Sequence, residues 1–125
     1  MRIGLILLSL PLASCAAIPT YDDPKRVDRI ERLREARDLC LVKNVQAFDD
    51  GTSAAAKIGN YVAMSCSVET GKLVELAIPR PDRQVRDAFQ EEAVRRATGY
   101  VQTTRRMETD AVARQRQPEP ALPPQ

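Results

Sequence analysis

Histidine and tryptophan are absent from the 125 residues, glycine occurs only five times, phenylalanine twice and cysteine three times. Without histidine, serine-histidine and cysteine-histidine relays are excluded, as is histidine-ligated zinc. Five scattered glycines form no phosphate-cradling loop. Two phenylalanines and no tryptophan leave few large side chains to fill an interior, so the core of such a chain is modest. Nineteen cations stand against 17 anions, which gives no charge excess that would draw the chain to nucleic acid. No cofactor or metal set is expected, and no residue pattern points to an enzyme.

Long hydrophobic runs are also lacking. The most apolar stretch is Ile3 to Leu12, broken by Gly4, Ser9 and Pro11, and it falls well short of the roughly 20 residues that a membrane-spanning helix requires. One cation at Arg2 precedes it and small residues follow it, the arrangement of a secretory signal. The segment closes on Leu12-Ala13-Ser14-Cys15, which resembles the lipobox of bacterial lipoproteins. That resemblance implies diacylglycerol transfer to the Cys15 sulfur, cleavage before Cys15 and often acylation of the new amino terminus. Two or three chains together make dissociation from lipid negligible, at about 0.8 kcal/mol per buried methylene. The same resemblance places weight on Ala16, since aspartate at that position favours inner-membrane retention in Gram-negative bacteria; alanine points to the outer membrane, facing the periplasm.

The expected organisation is a signal peptide over residues 1–14, a lipidated tether over 15–24, a helical domain over 25–107 and a polar, proline-rich tail over 108–125. The tether carries two prolines and no hydrophobic period, and nine residues span at most about 30 Å. Asp23 followed by Pro24 is a cap and first-turn pair that starts a helix. Val27, Ile30, Leu33, Ala36, Cys40, Val45 and Phe48 recur at three- and four-residue steps and predict its buried stripe, with Arg29, Arg32, Arg34 and Asp38 opposite. Arg34 and Asp38 are placed to pair one turn apart. Asp49-Asp50-Gly51-Thr52-Ser53 predicts a stop and restart, glycine ending one helix and Thr52 or Ser53 capping the next. Ile58, Val62, Cys66, Leu73 and Leu76 form the second stripe, with a bend expected near Glu69-Thr70-Gly71. Asp82 caps a third helix running to about Met107, with Val85, Phe89, Ala93, Ala97 and Tyr100 inward, Ala88 and Val101 alongside, and Glu91–Arg95 and Glu92–Arg96 pairs on its surface. The predicted fold is all-α, a small three-helix bundle or a helical hairpin plus a third helix. Beyond Met107, Glu108 to Gln117 can continue as a frayed polar helix, and the proline-rich end from Pro118 is expected to be disordered.

Export assigns the other two cysteines. Cys40 and Cys66 lie on facing stripes about equally far from the turn, and an oxidising compartment favours their bridging over two buried free thiols. Their spacing is no C-x-x-C redox motif. Arg95, Arg96, Arg105 and Arg106 sit about three turns apart and predict a basic face diluted by Glu91, Glu92 and Glu108. The functional expectation is a non-enzymatic, lipid-anchored envelope protein. It would bind or support another envelope component while attached to the membrane. The alternative is an inhibitor or accessory subunit of an envelope enzyme such as a cell-wall hydrolase.

Overall fold

The Lys25 amide donates to the Asp23 carboxylate at 3.0 Å and Pro24 occupies the first turn, so the chain enters α1 (Pro24–Phe48) as its sequence anticipates. The computed structural model describes residues 23–116; the signal, most of the tether and the proline-rich tail lie outside the described residues. Three further helices follow, α2 (Ala55–Ser65), α3 (Ser67–Ala77) and α4 (Arg83–Gln115), with no strand among the described residues. The architecture is all-α.

The chain runs up, down and up. Asp49, just past the end of α1, meets Arg105 of α4, and Asp38 meets Arg96, so α1 and α4 run parallel. At the opposite end the Arg26 guanidinium donates to the carbonyls of Leu76 and Ala77 at 3.2 and 3.1 Å, which closes the C-terminus of α3 onto the start of α1. The α2–α3 pair descends between them, and α2 against α4 is the most extensive interface.

Leu41, Val45, Ile58, Val62, Cys66, Ala97 and Val101 form the core cluster, with Cys40, Ala55 and Tyr100 packed on its edge. Small side chains let α2 and α4 approach closely. A β-carbon added at Gly59 would fall 2.8 Å from the Thr98 amide nitrogen and 2.9 Å from its α-carbon, contacts with backbone that no rotamer change relieves.

The sequence reading is corrected in three places. The second helix breaks at Cys66 instead of near Gly71: Cys66 has φ −103° and ψ 20°, while Gly71 stays helical. Cys66 still receives and gives regular helical hydrogen bonds, to the Val62 carbonyl and from the Thr70 amide, so the break is one residue wide. On α1 the inward stripe is Arg37, Leu41 and Val45, and Ala36 is exposed; α4 and the α2–α3 pair enclose α1 from two directions and turn the stripe partly away from the expected one. Neither Thr52 nor Ser53 caps α2, whose first turn lacks a side-chain cap. Asp50 instead accepts from the Thr52 and Ser53 amides and the Ser53 hydroxyl, holding the loop itself, while Gly51 takes the left-handed conformation at φ 71°. Past Met107, α4 continues helical to Gln115, as its polar sequence allows.

Two glycine substitutions are expected to act with opposite signs. Gly59→Ala should lower stability by about 1–3 kcal/mol through overpacking against α4, although alanine is the better helix former. Gly71→Ala meets nothing within 4 Å and should raise stability by roughly 0.5–1 kcal/mol. Chemical denaturation of both variants checks the pair.

Candidate functional site: a disulfide and an ion-pair seam

Cys40 and Cys66 are joined, with their α-carbons 6.0 Å apart. The bond ties the middle of α1 to the residue where α2 gives way to α3. Asn44, one turn after Cys40, covers it: its amide donates to the Cys40 carbonyl at 2.9 Å and approaches both sulfurs at 3.4 Å. Both sulfurs are engaged with each other, so neither is a nucleophile or a metal ligand in this state.

Along the α1–α4 seam lies a feature that sequence reading missed. Arg37 is buried to 1% exposure. Its position, one turn after Leu33 and one turn before Leu41, is the only sequence signal of burial, and its charge argues the other way. Its Nε donates to Asp38 at 3.1 Å and Nη2 approaches Glu92 at 3.5 Å. Arg96 completes the cluster, with Nε to Glu92 at 2.8 Å and Nη1 to Asp38 at 3.0 Å. Two guanidiniums and two carboxylates thus neutralise one another. Burial by itself would raise the Glu92 carboxyl, but the Arg96 hydrogen bond and the charges of Arg37 and Arg96 hold it below the usual carboxylate value. Arg37 Nη1 is buried with no hydrogen-bond partner, a cost in stability of about 1–3 kcal/mol.

A second pair locks the far end of the seam. Arg105 holds the Asp49 carboxylate in a fork, Nε donating to Oδ2 at 3.0 Å and Nη2 to Oδ1. The Arg105 hydrogen bond, with the Gly51 amide, lowers the Asp49 carboxyl below its ordinary range. Asp49 and Asp50 diverge: Asp49 faces α4 and Asp50 holds the Thr52–Ser53 loop.

The four arginines of the expected basic face divide. Arg96 and Arg105 are tied into the seam, whereas Arg95 and Arg106 make no ion pair among the described residues, and the Glu91–Arg95 contact does not form. Arg34 pairs with Glu31 instead of Asp38, because Asp38 is held by Arg37 and Arg96. Cys15 lies outside the described residues. A cleft of about 350 Å³ opens over the seam, yet all its lining charges but Glu35 are already paired and Arg37 Nη1 is sealed from solvent. Among the described residues no group of histidine, cysteine and carboxylates is arranged to hold a metal ion. The seam has the chemistry of a structural lock.

Comparison with family models, curated proteins and solved structures finds no match for this chain.

Three outcomes are expected. Reduction, or Cys40→Ser with Cys66→Ser, should lower stability by about 3.5 kcal/mol, since the bond closes a loop of 26 positions; denaturation with and without reductant measures it. Asp38→Asn with Glu92→Gln should cost about 2–3 kcal/mol in the native chain, by stranding Arg37, and less than half of that in an Arg37→Met background; a double-mutant cycle reads the coupling. Because Glu92 and Asp49 titrate below their ordinary values of 4.5 and 3.8 when folded, their contribution is full above those values. It is lost as pH falls through the lower folded values. Arg105→Gln should therefore flatten the loss of stability on acidification below about pH 4, as followed by acid unfolding.

Proposed function

We propose that this chain is a lipid-anchored protein of the bacterial envelope whose small helical body serves as a non-enzymatic binding or structural module in the periplasm. The observation that carries the reading is Leu12-Ala13-Ser14-Cys15 closing a short apolar leader. The Cys40–Cys66 bond supports it independently, since such bonds persist in oxidising compartments and are rare in the cytosol. Among the described residues no helix is long and apolar enough to cross a membrane, so attachment in this reading rests on Cys15.

The body presents an ordered extension for a partner. Beyond Arg105, which is level with the end of α1, α4 continues for ten residues, about 15 Å. Met107 and Val112 stay exposed on it. An isolated helical end of this kind gains little from its own core and is a natural contact for an envelope protein. With Ala16 after the anchor, the outer membrane is the proposed location.

In the native host, an alkyne-tagged palmitate should label this protein and the label should vanish in Cys15→Ser, with the variant moving from the membrane to the soluble fraction. An unlabelled wild-type protein in the soluble fraction would refute the anchor. Crosslinking from Met107 in intact envelopes should capture an assembly or transport component; recovery of a cell-wall hydrolase would assign the accessory-subunit role instead.

A further inference from the structure

Lys57, Tyr61, Met64, Val68 and Lys72 follow one another at steps of four, three, four and four residues. On a helix such steps trace a single stripe, and the one-residue break at Cys66 interrupts it only briefly. All five are exposed. Tyr61, Met64 and Val68 are 55%, 64% and 61% accessible, which makes this the densest run of exposed large apolar side chains on the body. Phe48 extends the patch, packed edge-to-face on Tyr61 with ring centroids 5.0 Å apart. The buried faces of the same helices are fully used: Ile58, Val62 and Cys66 fill the core, and Gly59 meets α4. The stripe therefore faces outward, with Phe48 of α1 at its edge.

We infer that this outward face of α2 and α3 lies against the surface of the lipid bilayer in which Cys15 is anchored. The inference rests on the anchor reading and adds the orientation of the body to it. The first argument is the length of the connecting chain. Cys15 to Pro24 reaches about 30 Å at most. The Arg26 contacts to Leu76 and Ala77 place the start of α1 beside the end of α3. From Ala77 it is about 7.5 Å along the helix to Lys72 and about 13.5 Å to Val68. The stripe is thus within reach of the tether without any rearrangement.

The second argument is chemical. A tyrosine, a methionine and a valine bracketed by lysines match an interfacial helix face: the ring sits at headgroup level, the lysine stems cover apolar surface and their ammonium groups rise to anionic phosphates. Glu69 on α3 is half-buried, and Glu75 lies beyond Lys72 at the tether end; it offsets one cation, so apolar contact is the larger contribution. Weak contact suffices, because a short tether holds the face at millimolar effective concentration.

The absence of tryptophan makes the test direct. Full-length lipidated Met64→Trp and Met107→Trp are each placed in phosphatidylethanolamine–phosphatidylglycerol vesicles carrying brominated acyl chains, and Cys15 lipidation is verified by mass on the same samples. Met107 is equally exposed but lies on a different helix, on the extension of α4 past the end of α1. Quenching at position 64 is expected to exceed that at 107 severalfold, with a blue-shifted emission. Equal quenching at the two positions in the lipidated chain overturns the orientation and leaves the anchor standing. A chain whose Cys15 carries no lipid overturns both.

Discussion

The covalent bond between Cys40 and Cys66 is the constraint around which the rest of this fold is arranged. Cys66 belongs fully to neither α2 nor α3, is entirely buried, and sits in the core cluster beside Leu41, Val62 and Ala97. Holding it 6.0 Å from the Cys40 α-carbon fixes where the descending helix pair crosses α1. Helices this short, 11 residues each, are marginal on their own. Their order follows from being fastened at a shared end, with Gly59 seated on α4 above and the α3 terminus closed by Arg26 below. The core around the bond contains no fully buried aromatic ring, so a cross-link of this size is a substantial fraction of the stability of a small domain.

The outline of this fold was legible in the sequence, and the failures have identifiable physical causes. Asp23-Pro24 and Asp82 act as caps because cap chemistry is local. Thr52 and Ser53 do not, because Asp50 captures both of their amides and leaves Ala54 at the cap position. The α1 stripe was misplaced in part, since hydrophobic periodicity assumes that charge faces water and Arg37 breaks that assumption. Arg37 is retained in the interior by Asp38 beside it and Glu92 from 55 positions away, a partner that no local pattern reveals. The same long-range pairing divides the expected basic face: Arg96 and Arg105 complete the seam, and only Arg95 and Arg106 remain outside it. Gly59 stands out in no sequence pattern and is the contact that lets α2 settle on α4.

These features assemble into a consistent division of labour. Charged residues that would suggest catalysis or anion binding are engaged with one another along the α1–α4 seam, where they set the register of two parallel helices. The surfaces left over are of two kinds: an apolar, lysine-bracketed face on α2 and α3, and an ordered helical extension at the far end of α4. A body tethered by nine residues can place the first against lipid while the second projects past the end of α1. The proposed role is therefore one of position, with the anchor, the staple and the two free surfaces each serving to present the extension of α4 at a fixed distance from a membrane.

The central claim is that one chain carries a lipid on Cys15 and a bond between Cys40 and Cys66. Intact-mass analysis of the protein purified from its native envelope, alkylated without reduction, tests both at once. The account predicts an amino terminus at Cys15 bearing acyl chains and no alkylation at Cys40 or Cys66. A chain that retains Met1 and takes up alkylating reagent at all three cysteines would contradict it.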